Sequence, residues 1–218
     1  MIKVKRTNTP PASLSIEKAK RSGSYCLSDV VDLLEDDFKG KCYLCEIKPV
    51  YDINIEHLVP HKGNKDLKFD WNNLFYSCPH CNSVKNNSKY DGKILDCCQN
   101  DPEKVLYHIF ENGHVLVKPV DDECTDEVVL LTADLITKCF ESDNPAIRTK
   151  GCDKRVKELK IIMMALYDKL NEYRENPHGT AINAIRGMLD LSYKFAGFTR
   201  TYVRLHLSDY PDLKQYVA

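Results

Sequence analysis

At 218 residues the chain is long enough to bury a real core, and 43% apolar with 29% charged residues is the balance of a folded protein, not a disordered or fibrous one. The net charge of -1 excludes a globally basic nucleic-acid binder, so any surface for nucleic acid has to be local. No run approaches the roughly 18 uninterrupted apolar residues of a membrane span. The opening residues carry charges and prolines where a signal peptide needs an apolar run, so a cytoplasmic protein is expected.

In chain order, residues 1–25 read as a basic N-terminal arm, with Lys3, Lys5, Arg6, Lys18, Lys20 and Arg21 against only Glu17. Such an arm can touch phosphates or an acidic partner, or be a solvated tail. Pro10 and Pro11 keep its first dozen residues extended, and a helix is expected over Ser13–Lys20. A second helix is predicted over Ser28–Gly40, with a capping serine, apolar residues at helical spacing and a terminating glycine. From Cys42 to Cys81 short strands and loops follow, the best strand being Ile53–Val59 before Pro60, and a short helix begins near Pro79.

Two apolar runs between Val105 and Val120 flank Asn112-Gly113, a pair that favours the positive φ angles of a tight hairpin. The acidic cluster Asp121, Asp122, Glu123, Asp126 and Glu127 suits a helix N-terminus better than a metal site. Residues Ala146–Glu175 are expected to form one long amphipathic helix, with a possible break at Gly151-Cys152, and two helices follow over Thr180–Lys194 and Phe198–Leu207, parted by Ala196-Gly197. The expected organisation is the arm, a core over residues 26–100, and a hairpin followed by a helical region over residues 101–218.

Ten cysteines without a secretory leader point to metal more than to a disulfide framework. Cys42 and Cys45 form one Cys-x-x-Cys pair, Cys78 and Cys81 a second, with 32 residues between the pairs. A two-residue spacer lets both thiolates of a knuckle reach one ion, and four thiolates close the tetrahedral shell of a structural zinc. Four reduced core cysteines or a redox dithiol are the competing readings, the latter lacking its βαβ setting. His80, inside the second pair, is expected to face solvent. Cys26, Cys97, Cys98, Cys124, Cys139 and Cys152 have no paired spacing and read as core thiols. The gap between the pairs is too long for a simple ribbon, so chemistry is sought in the insert.

The insert contains Glu56-His57-Leu-Val-Pro60-His61, then Asn72-Asn73-Leu74, and leads to Cys78-Pro-His-Cys81-Asn82-Ser-Val-Lys85. These elements, in this order, resemble the zinc-containing HNH endonucleases. The resemblance implies an α+β fold, a zinc-stapled ββα-metal nuclease core, here followed by a mainly α-helical C-terminal region. It implies hydrolysis of DNA phosphodiester bonds, leaving 5′-phosphate and 3′-hydroxyl ends. His57 is the expected general base, since imidazole suits proton abstraction near neutral pH. Glu56 and Asn82 are the ligands that the resemblance assigns to a catalytic divalent ion, and two oxygen ligands favour Mg²⁺ or Mn²⁺. Asn73 corresponds to an asparagine that braces the loop carrying the base. Lys85 is expected on a substrate phosphate, and His61 is a possible substrate or metal contact with a peripheral role as the alternative. Trp71 and Phe75 read as core aromatics.

The flanks, with the basic start and Phe195-Ala-Gly-Phe198-Thr-Arg200, are similar to the HNH nuclease subunit (PtuB) of Septu-type and retron-associated anti-phage systems. That likeness implies an ABC- or SMC-type ATPase partner (PtuA-like). The other readings are a non-catalytic zinc module that binds nucleic acid or protein, and an RNA-cleaving HNH effector.

Overall fold

The structure, a computed structural model, describes residues 1–141, 150–177 and 179–218. Its first half is built on helix α1 (Ala12–Ala19), helix α2 (Ser28–Phe38), strand β1 (Asn54–His57), the single turn α3 (Lys65–Lys68), strand β2 (Leu74–Ser77) and helix α4 (Pro79–Lys85). Val30, Leu34 and Phe38 recur every four residues and form the buried stripe of α2, which packs on β2. The helix starts at Ser28 itself, with Leu27 in the capping position, and it ends with both Lys39 and Gly40 left-handed, at φ 57° and 65°. Gly40 meets that second left-handed angle without a Cβ clash, and its N–H closes on Glu35 O at 2.8 Å.

Strands β1 and β2 pair antiparallel, with Glu56 opposite Phe75 and His57 opposite Leu74. The strand is shorter than the expected Ile53–Val59 because Val59 N–H is taken by the Asn73 side chain, not by a partner strand. Cys78 caps α4 and Pro79 occupies its first turn, where a missing N–H costs nothing. Trp71 and Phe75 are buried, as core aromatics should be.

The second half begins with the hairpin β3 (Leu106–Glu111) and β4 (His114–Pro119), turned by Asn112 and Gly113 at φ 52° and 82°. Helix α5 (Glu127–Phe140), capped by Asp126, lies on β4 and accepts Val117 N–H on Thr137 Oγ1 at 2.9 Å. Helices α6 (Lys150–Glu175), α7 (Ala181–Leu189), α8 (Ala196–Leu205) and the terminal turn α9 (Lys214–Val217) complete the fold. Gly151 and Cys152 continue α6 without a break, and residues 146–149 of the expected long helix lie outside the described residues. Ala196-Gly197 opens α8 and is no spacer; the chain turns one residue earlier, at left-handed Phe195. No described helix is long and apolar enough to cross a membrane.

The expected basic arm is corrected at its start. Met1, Ile2 and Val4 are buried, Val4 N–H bonds to Cys97 O at 2.9 Å, and Arg6 lies against the rings of Phe38, Trp71 and Phe75 while donating to Trp71 O and Leu74 O. A short apolar alternation, Met1-Ile2 and Val4, outweighs the neighbouring charges because Lys3 and Arg6 find carbonyls for their donors.

The Met1 ammonium donates to Glu46 Oε1 at 2.8 Å and meets His108 Nε2 at 2.7 Å. Glu46, 1% exposed, also receives the Lys41 ammonium at 3.2 Å and Gly197 N–H. A Cβ on Gly197 would stand 2.6 Å from Glu46 Oε1, so the start of α8 needs a glycine to approach. One carboxylate thereby joins the N-terminus, the first cysteine knuckle, β3 and α8. Burial alone would raise its titration, but the Met1 ammonium and Lys41 hold it well below the usual carboxylate range.

Glu46→Gln strands two buried cations and is expected to cost about 3–5 kcal/mol in urea unfolding at pH 7. The depressed carboxyl stabilises the fold above its unfolded value of about 4.3 and loses that contribution as pH falls through the folded one. The gap between variant and parent should therefore narrow below that pH.

Candidate active site and metal centre

Four thiols meet at the join of the two knuckles. Cys42, Cys45, Cys78 and Cys81 are all buried, and their sulfurs lie within 4.8 Å of one another. A tetrahedral shell with Zn–S of about 2.3 Å places sulfurs roughly 3.8 Å apart. Cys45 and Cys78 stand at 3.9 Å. All four are free thiols, so no disulfide competes for them. The first knuckle closes through Glu46 N–H to Cys42 O at 2.9 Å, with Glu46 at φ 57°; in the second, Cys81 N–H points at Cys78 Sγ. Hydrogen bonds from the Cys42, Cys45 and Cys81 thiols, with Arg155 adding to them, hold the Cys78 thiol well below the usual range. The donor set fits a structural zinc, and the four-cysteine cluster can hold one.

A cleft of about 590 Å³ opens beside this cluster, walled by β1, the loop after it and α4. It brings together Glu56, His57, His61, Asn82 and Lys85, which lie up to 29 residues apart in the sequence. His57, the last residue of β1, is 8% exposed, with Tyr25 edge-on at 4.6 Å and His61 at 4.9 Å. Its Nε2 lies 3.0 Å from Lys68 O. A carbonyl only accepts, so Nε2 carries the proton of the neutral ring and Nδ1 keeps the lone pair. Burial lowers the His57 titration, the Lys68 carbonyl opposing and nearby His61 assisting.

Asn73 is buried with its amide fully engaged: Oδ1 accepts Val59 N–H at 2.8 Å, and Nδ2 donates to Val59 O at 2.8 Å and Leu67 O at 3.0 Å. It pins the segments on either side of the loop that follows His57. Asn82, half-buried on α4, lines the cleft. His61 accepts Gly63 N–H on Nδ1 at 3.1 Å.

Lys85, expected on a substrate phosphate, is turned inward. Its side chain is 3% exposed, and its ammonium donates to Glu56 Oε1 at 2.7 Å and to His57 O at 3.0 Å. One turn of α4 past Asn82 points inward, because Cys81, Val84 and Lys85 form the buried face of this short helix. Burial raises the Glu56 carboxyl, Lys85 pulls it back, and the charge of Asp91 raises it further.

His80 is not solvent-facing: its Nε2 lies 3.0 Å from Cys139 O, against α5 and α6. Of the six other cysteines, Cys26 is exposed and Cys98 and Cys124 are half-buried, so only Cys97, Cys139 and Cys152 are core thiols.

Three residues of this region carry no signal in the motif. Asp91 and Tyr25 line the cleft, and Arg155, from α6, donates to Cys78 Sγ at 3.0 Å. None has a spacing relation to the cysteine pairs or to the Glu56-His57 strand. The Asp91-Gly92 turn is the one local sign near the site.

Among known protein families, residues 42–88 match the model described as HNH endonuclease, so the chain carries an HNH endonuclease family domain there, built around the four-cysteine cluster. No curated protein matches the chain.

Metal analysis of the purified chain is expected to find one zinc per chain. Cys42→Ser should lose it and unfold the knuckles together, since a closed thiolate site supplies folding free energy directly. A Cys42→Ser chain with full zinc content and an unchanged melting temperature would rule the site out.

Proposed function

We propose that the chain is a metal-dependent endonuclease that hydrolyses DNA phosphodiester bonds in the cleft between β1 and α4. The observation that carries this reading is a buried histidine, its Nε2 against the Lys68 carbonyl, in the same cleft as Glu56 and Asn82. His57 takes the proton of the attacking water on Nδ1. The carbonyl of Lys68 fixes the ring's tautomer, and Tyr25 and His61 hold its plane. Asn73 keeps the loop after His57 in register with Leu67.

Glu56 and Asn82 would hold the catalytic Mg²⁺ or Mn²⁺, and the oxygen donors of the cleft, with Asp91 near Glu56, suit a hard cation. When bound, such an ion supplies charge to the phosphate and the departing oxygen. Zinc alone should not support cutting.

A local basic ridge beside the cleft supports a nucleic-acid substrate. Lys65 donates to Lys20 O and Lys68 to Gly23 O, both at 2.7 Å, which gathers Lys18, Lys20, Arg21, Lys65 and Lys68 along α1 and α3. Lys68 is 5.8 Å from the Tyr25 ring, which itself borders His57, so the ridge runs to the site. The far end of the expected arm, not its start, carries this charge.

The finer reading is an effector nuclease of a bacterial anti-phage system working with an ABC- or SMC-type ATPase. It draws on the likeness of the motif and flanks, on a net charge of -1 that leaves the grip on DNA modest, and on Ile161 and Met164, exposed one turn apart on α6.

The test is cleavage of plasmid DNA, and of RNA of matched sequence, with Mg²⁺, by the chain alone and with such an ATPase. His57→Ala should cut about 10²–10⁴-fold more slowly and keep its zinc; equal cutting by both proteins means the assigned base is wrong. Cleavage of RNA only would replace DNA as the substrate.

The pH profile offers a second check. Because burial lowers the His57 titration, its base form persists below the ordinary imidazole value of about 6.5. The acid limb of kcat/KM should lie below that pH, and a limb above it would contradict the assignment.

Replacing Lys18, Lys20 and Arg21 by alanine should weaken DNA binding and flatten its salt dependence by about 0.9 in log–log slope for each phosphate left without its cation. An unchanged slope would move the DNA path elsewhere.

A further inference from the structure

Among the described residues of the second half two arginines are buried, and they are compensated differently. Arg200 is held by the Glu103 carboxylate at 2.9 Å. Arg155, 8% exposed on α6, forms no ion pair with a carboxylate among the described residues. One terminal nitrogen donates to Gly151 O at 2.8 Å, the other to Cys78 Sγ at 3.0 Å, and Nε has no partner among the described residues. A guanidinium stays charged in any protein environment, and a buried charge without a counter-charge is strongly disfavoured. Among the described residues, the group in contact that can supply the counter-charge is the four-sulfur cluster. Neutral thiols would not do so, whereas a divalent ion in a shell of four thiolates carries net negative charge.

We propose that Arg155 is the outer cation of the four-cysteine metal site. It neutralises part of the thiolate charge through Cys78, covers that sulfur against competing ligands, and so slows metal loss. The inference rests on the zinc reading of the cluster.

It also makes α6, which lies outside residues 42–88, part of the metal centre. A neighbouring contact closes the same side: His80, inside the second knuckle, is tied to Cys139 O of α5. A Cβ on Gly151 would stand 3.3 Å from both His80 and Arg155, so α6 approaches the second knuckle at a residue with no side chain. Outer hydrogen bonds of this kind tune metal sites, with losses of about 10–100-fold in affinity when they are removed.

The test uses the full chain loaded with zinc and an excess of a chromophoric chelator, comparing the unaltered protein with Arg155→Met, Arg155→Lys and Leu159→Ala. Leu159 is fully buried one turn further along α6, so its truncation weakens the helix packing without removing the hydrogen bond to sulfur. Arg155→Met is expected to release zinc about 10–100-fold faster, Arg155→Lys at an intermediate rate, and Leu159→Ala at the parent rate despite a lower melting temperature.

With Co²⁺ in place of zinc, the sulfur-to-metal charge-transfer band should move in both Arg155 variants and stay in place in Leu159→Ala. Parent-like release and an unmoved band in the Arg155 variants overturn the proposal, as does Leu159→Ala releasing zinc as fast as Arg155→Met. Should Arg155→Met fail to fold, Arg155→Lys alone decides: faster release with a moved band supports the role, and parent behaviour overturns it. A parent chain that binds neither zinc nor cobalt refutes the metal-site reading itself, and this inference with it.

Discussion

Four buried sulfurs within 4.8 Å of one another set the constraint on which the candidate site depends. They fix both ends of the segment between Cys45 and Cys78, and within that segment only two four-residue strands and short helical turns supply regular structure. Such an insert buries too little surface to order itself. Held at both ends, it is ordered: β1 pairs with β2, Cys78 caps α4, and β1 and α4 wall one cleft. The positions of Glu56, His57 and Asn82 are therefore consequences of cysteine geometry as much as of their own contacts.

The sulfur cluster does not stand alone, because its flanks are anchored in the other half of the chain. Glu46, immediately after the first knuckle, binds Gly197 N–H of α8 and the Met1 ammonium; Arg155 of α6 reaches the second knuckle. Both anchors are buried charges, whose geometry is stiff because moving either one strands its partner. The N-terminal residues, the knuckles, the hairpin and the C-terminal helices thus share one hydrophobic cluster. The boundaries suggested by composition near residues 25 and 100 mark changes of character along the chain more than separations in space.

What is legible in the sequence is local. The cysteine spacing, the Asn112-Gly113 turn, Pro79 at the start of α4 and the apolar stripe of α6 each rest on neighbours within a few residues, and each lies where the pattern puts it. The ordered motif from Glu56 to Lys85 also locates the cleft. Long-range charge compensation is what the sequence hides. Nothing in Met-Ile-Lys-Val-Lys-Arg says that its cations will find Cys98 O, Trp71 O and Glu46, so a basic tail is its natural reading. The inward turn of Lys85 is hidden for the same reason: a lysine one turn past a cleft residue looks solvent-facing until Glu56 is seen to receive it. Asp91 and Arg155 enter from segments with no motif of their own.

The Lys85–Glu56 pair also bears on how the cleft works. An ammonium 2.7 Å from Glu56 Oε1 opposes the burial and the Asp91 charge that raise that carboxyl. The same ammonium bonds to His57 O, so Glu56 and His57, adjacent on β1, are tied through one group to α4. A cation bound by Glu56 and Asn82 would share the carboxylate with Lys85, using the second oxygen, which no hydrogen bond engages among the described residues. Lys85 thus braces Glu56 and His57, side by side in the sequence, from the buried face of α4.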